Sequence, residues 1–116
     1  MFKVIVAGSR GFNDYEFLKE KLDHLLQNKS RVMIISGTAR GADRLGERYA
    51  KEKGHTLLRM AAEWGKYGRS AGYRRNEAMA EKGDALVAFR LNMSKGTTHM
   101  INIAKERGLR VRVYDF

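Results

Sequence analysis

The chain has 116 residues, 43% of them apolar, and carries 23 Lys and Arg against 13 Asp and Glu, for a formal charge of +10. One domain, expected over residues 1–116, buries enough surface at this length for a single core without staples. With no Cys and only three scattered His, disulfides, thiolate metal sites and cysteine nucleophiles are excluded, and neither a metal nor a cofactor is expected.

From Phe2 to Ala7 the chain runs FKVIVA, a β-branched segment that stops at Gly8 and reads as a buried strand. Met1 leads straight into it, and no apolar run reaches the roughly 18 residues of a membrane span, so a cytoplasmic protein without a membrane partner is expected. Asn13, with Glu16 downstream, is placed to cap a helix over Asp14 to Gln27 whose Leu18, Leu22, Leu25 and Leu26 share one face. Arg31 to Ser36 is a second buried strand. A helix from Ala42 to Lys53 follows, with Ala42, Leu45, Tyr49 and Ala50 inward and Gly54 as its stop. His55 to Met60 is a third, more polar strand suited to a sheet edge. A long loop is expected from Ala61 to about Ala71, then a helix from Gly72 to Lys82 and a strand from Asp84 to Phe89. A helix from Thr97 to Arg107 and a strand from Leu109 to Tyr114 complete the pattern.

This alternation predicts an α/β, Rossmann-like three-layer sandwich: a five-stranded parallel sheet with right-handed crossovers and helices on both faces. The order 3-2-1-4-5 buries the two most apolar strands centrally. Segments leaving the strand carboxyl ends, at 8–13, 37–41, 61–71 and 90–95, are long, whereas the returning turns are short, and ligands of such sheets bind at that edge. Those segments hold Arg10, Arg40, Lys66, Arg69, Arg90 and Lys95 against Glu63 alone. The positive excess therefore concentrates where an anion would sit, although nucleotides and nucleic acids both answer to it.

Gly8-Ser9-Arg10-Gly11 follows the first strand, where glycines let backbone N–H groups approach a phosphate and Arg10 can pair with its charge; an ordinary strand-to-helix turn explains it equally well. Gly37, Thr38, Arg40 and Gly41 precede a helix N-terminus, where orphan N–H groups favour anions, and no Gly-Lys-Ser/Thr of a Walker A loop follows. Asp43, just inside that helix, either accepts from a ribose hydroxyl or complements the helix dipole. Lys95, Gly96, Thr97 and Thr98 open a later helix beside the first loop and make a second phosphate cradle. His99, in its first turn, reads as solvent-exposed. Between Trp64 and Asn76 three aromatics (Trp64, Tyr67 and Tyr73) interleave with Lys66, Arg69, Arg74 and Arg75. Stacking of a base beside a cation is one reading, and a tryptophan anchoring its loop is the other. Arg75 and Asn76 lie early in the next helix, close to the same edge. Glu63 and Glu77 are the candidate acid or base carboxylates.

The segments GSRGF, SGTARGADRLGERYA, AEWGKYGRSAGYRRNEAMA and SKGTTHMI together resemble the YspA-like, cpYpsA-related branch of the SLOG superfamily, in order and nearly end to end. The resemblance implies a Rossmann-like fold and a site for a nucleotide or nucleotide derivative built from Gly8, Ser9, Arg10, Gly37, Arg40, Gly41, Asp43, Gly96 and Thr97. The wider superfamily includes the Lonely guy phosphoribohydrolases, which use an arginine and the glutamate of a G-G-x-G-T-x-x-E motif. Arg75 falls where that arginine stands, but Met100 occupies the glutamate position. Cleavage of an N-glycosidic bond would then need Glu63 or Glu77 as its carboxylate. Binding, as a sensor or a sequestering protein, leads the functional readings. Nucleotide hydrolysis and single-stranded nucleic-acid binding, as in the SLOG-related DNA-processing proteins, are the alternatives, and superfamily relatives commonly form homodimers.

Overall fold

Strand β1 (Phe2–Gly8) sets the architecture, because its alternate residues feed two different cores. Val4 and Val6 face one side of the sheet and Ile5 and Ala7 the other, all four buried, as the two-residue period of a strand requires. The computed structural model describes residues 1–116 and orders the strands β3-β2-β1-β4-β5, all parallel. This is the α/β, Rossmann-like arrangement expected from the sequence. Strand β2 (Val32–Ser36) pairs with β1 from Phe2↔Val32 to Ile5↔Ile35, and β4 (Ala85–Arg90) pairs from Val4↔Ala85 to Gly8↔Phe89. The edge strands, β3 (Thr56–Arg59) and β5 (Arg110–Asp115), contain no fully buried residue, which explains their more polar sequences.

Helices α1 (Tyr15–Leu26) and α2 (Ala42–Lys53) cover one face, where Leu18, Leu22 and Tyr49 pack on Val4, Val6 and Ile34. Helices α4 (Ala71–Lys82) and α5 (Lys95–Glu106) cover the other, where Met79, Met100 and Ile101 pack on Ile5, Ile35 and Leu86. Gly46 brings α2 against β1 so closely that a Cβ there would lie 2.8 Å from Val6 Cγ1. Buried Glu47 then pins the helix to its neighbours, accepting from Ser36 Oγ at 2.6 Å and from Arg59 Nε at 3.1 Å. No helix is long and apolar enough to cross a membrane.

Most element ends lie within one residue of expectation, and three differences have a local cause. The cap of α1 is Asp14 rather than Asn13, since it is the Asp14 side chain that accepts the Phe17 N–H at 3.1 Å, leaving Asn13 exposed. The segment 61–71 is no open loop. It folds as the single turn α3 (Trp64–Tyr67) and a 3₁₀ turn (Gly68–Ser70), with the Glu63 carbonyl accepting from both Lys66 and Tyr67 N–H at 3.0 Å. Helix α5 begins at Lys95, two residues before the expected Thr97, because the Ser94 carbonyl already accepts the Thr98 N–H at 3.0 Å.

The glycines of the carboxyl edge are unequal in what surrounds them. A Cβ on Gly8 would collide with the Phe89 carbonyl oxygen and lie 2.6 Å from Ala42 Cβ, whereas one on Gly65 would meet nothing within 4 Å. Gly8→Ala is expected to lower folding stability by about 1–3 kcal/mol, while Gly65→Ala leaves it unchanged or slightly raised. Urea denaturation of the two variants beside the parent chain measures the difference.

Candidate functional site

A cleft of about 570 Å³ opens at the carboxyl edge of β1 and β4, between the segments that follow them and the start of α4. Of the residues marked from sequence, Gly8, Ser9, Arg10, Asp43, Trp64, Arg69, Arg75, Asn76, Gly96 and Thr97 line it. Tyr73, Met79, Ser94 and Met100 line it as well; Tyr73 stands in the aromatic and basic segment, and Met100 at the fourth position after Gly96.

The first surprise is how much of the glycine-rich edge serves the chain itself. Ser9 is buried, and its N–H donates to the Phe89 carbonyl at 2.9 Å while its carbonyl accepts from Phe12 N–H at 3.1 Å and Ala42 N–H at 3.4 Å. Its hydroxyl accepts the Leu91 N–H at 2.8 Å and shares a hydrogen bond with Ser94 Oγ at 2.6 Å. Gly41, at φ 79°, leaves no room for a Cβ against the Ser9 and Arg10 carbonyls. Gly8, Ser9 and Gly41 are thus scaffold positions, and the helix start at Gly41 is closed by its own chain. Thr38, at φ 69°, spends its N–H on Ser36 Oγ at 3.0 Å and its carbonyl on Arg44 Nε at 3.1 Å, outside the cleft. Arg40 and Lys95 are exposed and do not line it either.

Helix α5 presents the opposite situation. Ser94 caps it without a side-chain bond to the helix, because its hydroxyl is taken by Ser9. The first-turn N–H groups at Gly96 and Thr97 therefore lack intrahelical partners. Thr97 is 6% exposed and its hydroxyl has no hydrogen-bond partner in the chain. No buried side-chain oxygen or nitrogen of the molecule is unpartnered, so this hydroxyl is accessible, and Thr97 lines the cleft. Thr98 is not equivalent: its hydroxyl donates to the Ser94 carbonyl at 2.8 Å and accepts from Arg90 Nη1 at 3.1 Å. Arg90, counted among the edge cations from sequence, is held by Asp115 at 2.6 and 2.9 Å and is spent on strand β5.

Arg75 enters from α4. Its Nη1 donates to the Gly37 carbonyl and its Nε to Asn76 Oδ1 at 3.1 Å, leaving Nη2 without a protein partner. Asn76 continues the chain of contacts, donating from Nδ2 to the Gly96 carbonyl at 3.2 Å and to His99 Nδ1 at 3.1 Å. His99 is therefore half-buried and engaged, with its ring 4.5 Å from that of Tyr73, and not a free surface histidine. Gly37 is the gap between Arg75 and Asp43. A Cβ there would lie 2.7 Å from Arg75 Nη1 and 2.8 Å from Asp43 Oδ2. Burial pulls the Arg75 guanidinium below its ordinary range, and the Asp43 carboxylate partly restores it.

Asp43 is the only carboxylate on the cleft wall, 5% exposed, with Oδ2 accepting the Ala39 N–H at 3.1 Å. Met100 is buried at the position that holds glutamate in the Lonely guy motif. Glu63 lines a separate hollow of about 380 Å³ with Tyr67, Arg74 and Arg75, and Glu77 is exposed on α4 away from both spaces. Neither lines the cleft. Tyr67 is likewise engaged outside the cleft, lying 4.4 Å from Arg74 and 5.1 Å from Lys66. Asp43 is the residue whose weight the sequence understated; its place just inside a helix suits a dipole partner, and its burial is a tertiary property.

Burial pushes the Asp43 carboxyl up from 3.8 to about 6, against the opposing pull of the Ala39 N–H and Arg75. Because the folded value lies above the unfolded one, the folded chain holds this proton longer. Asp43 therefore costs stability above pH 6, and the cost fades as the pH falls from 6 toward 4. Asp43→Asn keeps an acceptor for Ala39 without the charge. It is expected to be more stable than the parent by about 1–3 kcal/mol at pH 7.5, with the gap closing below pH 5. Denaturant titrations at a series of pH values check both sign and window.

Comparison with known proteins places the chain. The model of the YspA, cpYpsA-related SLOG family (YAcAr) matches residues 2–67, which include β1 to β3 and the turn α3. The Gene 61 protein of Mycobacterium phage D29 is 32% identical over 118 residues, an alignment that takes in 96% of this chain and 94% of that protein and so includes α4 and α5. Among solved structures, the X-ray structure of DNA processing protein A (DprA) from Streptococcus pneumoniae matches with a TM-score of 0.77 at 19% identity, over 97% of this chain and 50% of that one. At that identity the likeness is one of fold, and the chain spans about half the length of that structure. From the sheet order, the matched segment and the phage relative, the chain belongs to the YspA, cpYpsA-related SLOG family.

Proposed function

We propose that the protein binds a nucleotide or nucleotide-derived phosphorylated ligand in the cleft, as a sensor or a sequestering protein. The observation that carries this reading is the open start of α5. There the Thr97 hydroxyl and the N–H groups of Gly96 and Thr97 lack partners, in a cleft also lined by Arg75, whose Nη2 has no protein partner. Orphan helix N–H groups, a hydroxyl donor and a guanidinium are the donor set of a phosphate site. Trp64 and Tyr73, 52% and 46% exposed at the mouth of the cleft beside Arg69, offer faces for a base. A volume of about 570 Å³ suits a small ligand.

The basic rim and its exposed aromatics are also what a single-stranded nucleic acid would use, and the shared fold with DprA keeps that reading in view. Salt separates the two. A strand contacting many phosphates releases many counterions and weakens steeply with ionic strength, whereas one pocket-bound phosphate does so mildly.

Thermal-shift titration with nucleoside monophosphates is the direct test. A ligand in large excess over its dissociation constant is expected to raise the melting temperature. Thr97→Val removes the hydroxyl at nearly constant volume and is expected to weaken binding by about tenfold. No shift from any nucleotide at millimolar concentration, or a shift that Thr97→Val leaves untouched, overturns the reading.

A further inference from the structure

The two helix starts at the cleft are chemically opposite, and this gives the site a direction. At α2 the Ala42 N–H is spent on the Ser9 carbonyl at 3.4 Å, and Asp43 occupies the end with its own negative charge. A carboxylate only accepts hydrogen bonds and repels phosphate, so whatever ligand group lies against Asp43 must donate. At α5 the groups offered to the ligand, Thr97 among them, donate, so the ligand group there must accept or be anionic. Arg75 stands on the same wall, beside Gly37 and Asp43.

Resting on the nucleotide reading above, we infer that Asp43 accepts hydrogen bonds from the 2′ and 3′ hydroxyls of a ribose whose phosphate sits at the start of α5, so that the site selects ribonucleotides over deoxyribonucleotides. Within a nucleotide, the vicinal diol is the neutral paired donor that lies one sugar away from the phosphate, while the base amino groups belong to the far end of the molecule, at Trp64 and Tyr73. Asp43 is 95% buried yet on the cleft wall. A carboxylate so placed discriminates between sugars, since one lacking a hydroxyl leaves a buried acceptor position of Asp43 unfilled beside the bond it already takes from the Ala39 N–H. A role as a mere partner of the α2 dipole makes no such demand on the ligand.

Isothermal titration calorimetry of the whole chain with AMP, GMP, CMP and UMP, their 2′-deoxy and 2′,3′-dideoxy counterparts and inorganic phosphate tests this. For the parent chain the ribonucleotide that binds best is expected to exceed its dideoxy counterpart by about tenfold or more, with the deoxy form between. In Asp43→Ala the ratio falls to within about twofold while dideoxynucleotide affinity is retained. Asp43→Asn, which keeps the Ala39 contact, serves the same purpose if the alanine variant does not fold. Thr97→Val weakens all three sugars by the same factor. A ratio near one in the parent chain, or one that survives both Asp43 variants, overturns the inference and leaves the nucleotide reading standing. Absence of binding by every nucleotide removes the nucleotide reading and this inference with it.

Discussion

The carboxyl edge of the sheet hangs from Ser9. Through its backbone and hydroxyl this one buried residue joins the end of β4, the segment that follows it, the cap of α5, the start of α2 and the turn after β1. Two consequences follow from the same bonds. The α2 start is drawn against the chain and closed, and Ser94 is diverted from capping α5, which leaves that helix start open. The asymmetry of the cleft is therefore a product of hydrogen-bond accounting in the scaffold, since each donor that Ser9 engages decides which donors remain.

Charge follows the same logic. Of the cations along the edge, Arg90 neutralises Asp115, and Arg74 and Lys66 flank Tyr67. Arg10, Arg69 and Arg75 remain on the cleft wall, with Asp43 as their counter-charge. Asp43 is held at a cost, buried so deeply that its carboxyl rises to about 6. The Asn76 amide links Arg75 to the Gly96 carbonyl, so the guanidinium and the open helix start form one hydrogen-bonded unit.

Much of this architecture was readable before any coordinates. β-Branched runs ending in glycine, separated by amphipathic helices, give the parallel sheet and its order, because continuous apolar runs demand burial on both faces. Ten of the residues named from sequence, from Gly8 to Thr97, line one cleft at the carboxyl edge of the sheet. Trp64 and Tyr73 kept the exposed position that base stacking needs. The failures were local or geometric. Asp14 took the cap from its neighbour Asn13, a difference of one residue that composition does not resolve, and the segment after β3 hid a helical turn behind its glycines.

Periodicity, composition and motif order thus specified the fold and the family, since burial on two faces leaves a readable mark on the chain. Which glycines mark a close crossing of the backbone is visible only in three dimensions. A glycine in sequence records that a side chain is not tolerated, while the group that would collide with it, the Phe89 carbonyl at Gly8 or Arg75 and Asp43 at Gly37, arrives from a distant part of the chain. The same holds for Asp43 itself: its identity is local, but its burial, its raised carboxyl and its place opposite an open helix start are contributions of β1, α4 and α5 together.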